Sequence, residues 1–348
     1  RRIDTSEAER SQGVRRVIRA SDVPRNLNTL LSLINFGKDD EPSLAVDKVR
    51  YKGEPIVAIV ADSPREAYEA IAKVKIDYEV LPAVFDVEEA LKPGAPVVNE
   101  VYPKNTFTYH ETYDRQQLRF GDADRAFATA DHVLEQRYQM SPIEHAPTET
   151  NGSIAAPDTN GRYIVYTSTQ ALFFSVDTCA KILDVPSNTF HFIGGTVGGG
   201  FGGKTIVYLE PLATLLAKKS GRPVKMVMTR EEVMRATGPT SGSKSTVRIG
   251  AKKDGTIVAA HGSFYLQAGA FPGSPIRGAV GCSFAPYDIP HVLSEGFDVC
   301  SNRSKVAAYR APGAPIGAYA VECVLDELAE ALKMDPLALR LKNAAKEG

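Results

Sequence analysis

At 348 residues, with a formal net charge of −1, 43% hydrophobic and 24% charged residues, the chain has enough apolar material for one large or two to three modest cores. So even a charge balance leaves no electrostatic footprint for nucleic acid or an anionic membrane, and no apolar run approaches the roughly 18 residues that span a bilayer. Cys179, Cys282, Cys300 and Cys323 lie apart without a C-x-x-C pair, which argues against an internal iron–sulfur or zinc framework and for reduced thiols in a cytoplasmic setting.

The chain opens at Arg1, without Met and without a secretory pattern, as expected of a processed or trimmed piece. Residues 48–62 read as two β-branched strands joined across a turn at Gly53–Pro55. Residues 63–74 predict a helix, with Ser63 as N-cap, Pro64 in the first turn and Glu66 three residues after the cap. Residues 75–86 return as a strand, and together 1–92 make a compact α+β module. Turn formers without helical period fill 93–119, which predicts a connector. From 120 to 348 follows a larger α+β unit: a strand over 161–170, a helix over 171–186, a strand in "TFHFIGG", then a glycine run. After that run come a helix, a turn at Gly221–Pro223 and a strand, a hairpin around Lys253–Gly255, and two closing helices. The last of these is capped by Asp335.

The run "GGGFGGKT" at 198–205 satisfies the phosphate-loop pattern G-x-x-x-x-G-K-[ST]. On that reading glycine amides curl around phosphates, Lys204 reaches the outer ones and Thr205 ligates magnesium, which would make the chain a nucleotide triphosphatase. What such an enzyme also needs, a later apolar strand ending in an acid, is absent: "VKMVM" runs to Met228 and is followed by Thr229, not by an acid. His145 and Glu149 sit at i, i+4, a metal-ligand spacing, but Pro147 between them argues against a helix and for a structural role.

The flanking text points elsewhere. "GGTVGGGFGGK" (194–204), the stretch 44–91, "GDADRAFATADHVLEQRYQMSPIEHAPTETNGSIA" (121–155), "TSTQ" (167–170) and the stretch 308–344 occur in order along the chain. Together they resemble the xanthine dehydrogenase/aldehyde oxidase family of molybdenum hydroxylases. The resemblance implies an α+β fold, with an N-terminal hammerhead domain at 1–92, its first strand missing, and the first half of the molybdopterin-binding domain at 120–348. It implies a molybdenum–pterin cofactor, as a cytosine dinucleotide, with iron–sulfur and FAD carriers on partner subunits. It further implies hydroxylation of an aromatic N-heterocycle of the nicotinate or purine kind, using water and exporting two electrons, with an aldehyde as the alternative substrate.

Carried over by position, Gln170, Gly198, Gly199, Gly200, Phe201, Gly202, Arg310 and Ala311 would contact the cofactor, with Gln170, Phe201 and Arg310 nearest the metal. Thr205, Arg277 and Pro312 would face the substrate. Thr205 replaces the glutamate of purine-oxidising members, and Pro312 replaces an aromatic that clamps flat substrates. Ala311 stands where carbon monoxide-oxidising relatives have a cysteine, so a copper–molybdenum site is not expected. No catalytic base is assigned within the chain; the family's glutamate is expected in a second molybdenum-domain segment or subunit, making this a truncated or split member. Plainer roles compete: Gln170 as a helix cap, Phe201 as a core aromatic, Arg310 as a surface ion pair, or the whole chain as a non-catalytic structural subunit.

Overall fold

The computed structural model describes residues 2–27, 41–107 and 115–346. The chain divides into two compact units, each built from two stretches: Arg1–Ala83 with Glu144–Gly238, and Val84–Ile143 with Pro239–Gly348. Each unit packs helices on sheet, an α+β architecture.

In the first unit a four-stranded sheet runs Phe190–Gly194, Tyr163–Thr167, Gly152–Pro157, Val224–Val227. Its first pair is parallel and the others antiparallel. A parallel pair needs a crossover, and the helix Leu172–Leu183 supplies it, ending on Asp184 in the left-handed conformation. The helix Glu210–Ser220 buries Leu212, Ala213, Leu215, Leu216 and Ala217 and stops at left-handed Gly221. These side chains share one core with Ala155, Val165, Cys179 and Ile182, and with Ile18 and Ala58 from the two-stranded ribbon Val14–Arg19 and Val57–Ala61. Truncating the fully buried Leu216 to alanine would cost about 2–5 kcal/mol.

Local signals place the helix ends. The Ser63 hydroxyl accepts the Glu66 N–H at 3.3 Å and opens Pro64–Ile71. Thr229 and Glu232 cap each other reciprocally and open Arg230–Ala236, a helix not anticipated from the sequence. Two strand expectations need correction. Of residues 48–62 only Val57–Ala61 is strand. The Arg50 N–H goes to the Glu54 carboxylate and the Glu54 N–H to the Tyr51 carbonyl, so this backbone is spent in a turn. Burial there pushes the Glu54 carboxyl up to about 7. Of residues 75–86 only Lys75–Asp77 pairs, antiparallel to Arg2–Asp4.

The second unit is a six-stranded sheet. Thr106–Phe107, Val292–Cys300, Ile257–Gly269, Ser243–Ala251 and His132–Met140 follow in order, with Gln116–Phe120 also on Val292–Cys300. The hairpin expected at 253–255 is present between Ser243–Ala251 and Ile257–Gly269. The helix Ala314–Leu332 lays Val321, Val324, Leu325 and Leu328 on Val247, Ile249, Phe264 and Leu266. Asp335 accepts the Ala338 N–H at 2.8 Å and opens Pro336–Asn343, whose Asn343 side chain bonds Gly255 O and Ile257 N–H, tying that helix to the hairpin. Within the stretch expected as a connector, buried Asn105 donates to the carbonyls of Ala90 and Pro96 and accepts the Val98 N–H. The connector's residues 108–114 lie outside the described residues.

Candidate cofactor site

The parallel register pairs Gly194 with Thr167, so "TSTQ" and the glycine run leave the same edge of the first unit's sheet, at the carboxyl ends of adjacent strands. Such an edge is where open α/β arrangements bind ligands. Gln170 locks onto the run. Its N–H donates to the Lys204 carbonyl at 2.9 Å, and its side-chain Oε1 accepts the N–H groups of Gly202 at 2.9 Å and Lys204 at 3.2 Å. Two donors converging on one atom identify it as the amide oxygen, so the Nε2 group, which has no partner among the described residues, remains available to donate. The helix N-cap is Ala171, with no side-chain cap, and the Thr169 hydroxyl accepts the Ala171 N–H at 3.1 Å just ahead of it. Gln170 is therefore not the cap.

Lys204 does not reach outward. Its side chain is 1% exposed and its Nζ donates to Glu149 Oε2 at 2.7 Å. The same oxygen accepts the Gly198 N–H at 2.7 Å, so one carboxylate holds the first and last residues of the loop. Burial alone would raise the Glu149 pKa, but the Lys204 ammonium and the Gly198 N–H outweigh it and hold the carboxyl below its ordinary range. The Thr205 hydroxyl donates to the Gly202 carbonyl at 2.8 Å, and the next helix starts at Glu210, not directly behind Thr205. A phosphate loop needs that lysine on phosphate, that hydroxyl on magnesium and a helix N-terminus at its base. None is here, and the Glu149 carboxylate on the loop's first amide would repel a triphosphate. The nucleotide triphosphatase reading fails on this geometry.

Phe201 is not a core aromatic: it is 52% exposed and has φ 52°. Among the described non-glycine residues with positive φ, Asp184 and Lys333 end helices and Asn105 is a residue that tolerates the region. The others are Ala146, Phe201 and Ala311, all within the motifs read from the sequence. Left-handed residues without such an excuse collect at ligand sites. His145 packs its ring on Gly203, where a Cβ would come within 2.9 Å, and Glu149 is spent on Lys204, so the two form no metal pair. Among the described residues no group of three or more His, Cys, Asp or Glu side chains could hold a metal ion.

In the second unit the structure brings Arg277 and 310–312 together. Arg277 lies exposed in the short helix Ile276–Cys282; Arg310, Ala311 and Pro312 form an exposed turn before Ala314–Leu332. Gly278 and Gly313 allow the two backbones to touch: a Cβ on Gly278 would overlap the Pro312 carbonyl, and one on Gly313 the Pro275 carbonyl. Ala311 carries φ 55°, and among the described residues the N–H groups of Arg310 and Ala311 have no acceptor and the Arg310 guanidinium has no ion-pair partner.

The donor set tests what could bind. Gly199, Gly200 and Phe201 offer three consecutive N–H groups without an acceptor among the described residues, although Gly200 is buried. Beside them stands the Gln170 amide donor, and a Cβ on Gly200 would collide with that amide. Donors without protein metal ligands suit a group that presents acceptor atoms and brings its own ligand set; a molybdenum–pterin fits this description. The class is thus a cofactor-holding α+β protein, with its donors on backbone amides.

Comparison with known proteins agrees. Residues 101–344 match the molybdopterin cofactor-binding domain, and residues 1–82 match the a/b hammerhead domain of aldehyde oxidase and xanthine dehydrogenase. The chain is 32% identical over 98% of its length to a probable xanthine dehydrogenase subunit from Bacillus subtilis, covering 45% of that protein. It is 31% identical over 99% of its length to the nicotinate dehydrogenase large molybdopterin subunit of Eubacterium barkeri, covering 79% of it. The aldehyde oxidoreductase structure from Desulfovibrio gigas superposes with a TM-score of 0.91 at 32% identity, over 100% of this chain and 38% of that one. The chain belongs to the xanthine dehydrogenase/aldehyde oxidase family of molybdopterin-dependent oxidoreductases. No helix among the described residues is long and apolar enough to cross a membrane.

Sequence reasoning missed the Glu149–Lys204 pair. It weighed Glu149 as a metal ligand and Lys204 as a phosphate arm, and no local spacing joins residues 55 apart.

Proposed function

We propose that the chain supplies one part of the active site of a molybdenum hydroxylase that converts an aromatic N-heterocycle of the nicotinate kind to its hydroxylated product with water. The observation that carries this reading is the loop itself: three consecutive unspent amides beside an amide side chain whose oxygen is already occupied. When bound, the molybdenum–pterin supplies the two-electron redox chemistry. Gln170 donates from Nε2 to an acceptor of that group; Gly199, Gly200 and Phe201 donate from the backbone, and Arg310 and Ala311 do likewise. Gly198 and Gly202 spend their amides on Glu149 and Gln170 and so shape the loop. Thr205, Arg277 and Pro312 are assigned to the substrate side, where Arg277 would meet a carboxylate. The exchange of glutamate for Thr205 favours a monocyclic acid over a purine.

The pterin form assigned is the cytosine dinucleotide. The general-base glutamate, the second half of the molybdenum domain and the iron–sulfur and FAD carriers are assigned to further segments or subunits, in a cytoplasmic complex. Relatives named as subunits support this assembly, including a nicotine 6-hydroxylase large subunit from Paenarthrobacter nicotinovorans. Aldehyde oxidation is the second reading, favoured by the likeness to the Desulfovibrio gigas enzyme. Turnover of the purified complex on nicotinate, hypoxanthine and benzaldehyde, with a dye acceptor, tests both. Preference for nicotinate supports the first reading, preference for the aldehyde replaces it, and oxidation of none of them refutes both.

A further inference from the structure

We propose that Lys204 and Glu149 act as a brace, a pair of positioning residues that set the glycine loop and Gln170 in the form the cofactor requires. The proposal rests on the cofactor reading above and goes beyond it, because neither side chain is assigned to touch cofactor or substrate.

Lys204 is the hub of the loop. Its side chain, among the largest fully buried ones in the described structure, ends on Glu149 Oε2 at 2.7 Å. Its carbonyl accepts the Gln170 N–H at 2.9 Å and the Thr169 hydroxyl at 3.1 Å, and its N–H donates to Gln170 Oε1 at 3.2 Å. Glu149 Oε2 reaches back to the Gly198 N–H at 2.7 Å, and the Glu149 N–H donates to the Gly198 carbonyl at 3.2 Å. The loop is thus clipped at residue 198 and at residue 204 by one carboxylate–ammonium contact, and the intervening amides of Gly199, Gly200 and Phe201 stay unspent. The space is shaped for the brace: a Cβ on Gly198 would come within 2.6 Å of the Glu149 Cβ. Only the ammonium end is buried, the Glu149 side chain being 39% exposed, and an ion pair of this kind is weak evidence of stability; its better-attested use is to specify one arrangement. That arrangement fixes which end of Gln170 faces outward.

The test separates positioning from folding. Wild type, Lys204→Met, Glu149→Gln and the double variant Lys204→Met/Glu149→Leu are purified as the complex. Each is measured for molybdenum and pterin retained after dialysis, for the Mo(V) electron paramagnetic resonance spectrum, and for melting temperature. Outer-sphere partners of a metal site are worth about 10–100-fold in affinity or activity, and a fall in retained cofactor of that order is expected in Lys204→Met. The double variant is expected to recover the melting temperature but not the cofactor or the wild-type spectrum. Wild-type retention and spectrum in both single variants, Lys204→Met and Glu149→Gln, would overturn the brace while leaving the cofactor reading intact. A wild-type complex without molybdenum would overturn both. If Lys204→Met does not fold, Glu149→Gln decides: reduced retention supports the brace and unchanged retention overturns it.

Discussion

The two loops assigned to the cofactor reach similar backbone geometry by different means. Each holds a non-glycine residue in the left-handed region, Phe201 at φ 52° in the first unit and Ala311 at φ 55° in the second. The loop of the first unit is held by side chains: Glu149 on Lys204 and Gly198, and Gln170 on Gly202 and Lys204. The turn of the second unit is held by close backbone packing, with Gly278 against the Pro312 carbonyl, Gly313 against the Pro275 carbonyl and Gly317 against the Ala279 carbonyl. A loop held by charge and amide contacts can be altered without unfolding its unit, whereas one held by glycine packing cannot accept a Cβ without shifting main chain.

The largest effect should follow removal of the outward donor. Gln170→Ala should lower kcat by about 100–1,000-fold, the usual cost of deleting one preorganised donor. Its melting temperature should stay near wild type because Gln170 is exposed. Unchanged turnover would make the chain a structural subunit. Next, Gly313→Ala should destabilise the second unit by about 1–3 kcal/mol, since the new methyl meets main chain and the residue sits at φ 84°. A two-state denaturant titration would show it as a lower midpoint at constant slope. Gly200→Ala should behave in the opposite way. The three nearest atoms its methyl would meet all belong to the Gln170 side chain and none to main chain, so stability should hold while turnover falls about tenfold, roughly 1.4 kcal/mol of misplacement. If Gly200→Ala and Gly313→Ala lose stability equally, the contrast between the loops is wrong.

How legible was this arrangement in the sequence? Elements with local signals were readable: Ser63 and Asp335 cap the helices expected of them, and the hairpin around 253–255 forms. The strand reading of 48–52 failed because Glu54 satisfies the Arg50 N–H from four residues away, a side-chain contact that periodicity does not encode. The glycine run was recognisable as a ligand loop, but its eight residues suit two chemistries equally well. What decides between them is the partner of Lys204, contributed from 55 residues upstream. The resemblance across five blocks pointed the right way because it included that upstream segment. The path of the loop itself, with Phe201 turned out and Gln170 clamped by its oxygen, depends on contacts between residues more than 30 apart, which no local spacing encodes.

The smallest effect separates the loops by pH. The Glu149 carboxyl is held below the ordinary range by the Lys204 ammonium and the Gly198 N–H, which outweigh burial. For a carboxyl with a lowered folded pKa, the stabilisation is complete above the unfolded value, about 4.5, and is lost as pH falls through the folded one. Amide hydrogen exchange, corrected for intrinsic rate, should show the bonded amides of Gly198, Gly202 and Lys204 losing protection in that acid window, while those of Ala314 and Gly317, which bond the carbonyls of Ala311 and Gly313, do not. Parallel loss in both would contradict side-chain control of the first loop.

Anomalous diffraction at the molybdenum edge, from crystals of the purified complex, bears most directly on the cofactor assignment. A single strong peak beside the glycine loop is expected, within reach of Gln170 Nε2 and the amides of Gly199, Gly200 and Phe201. A nucleotide with magnesium along residues 198–205, and no molybdenum peak there, would contradict it.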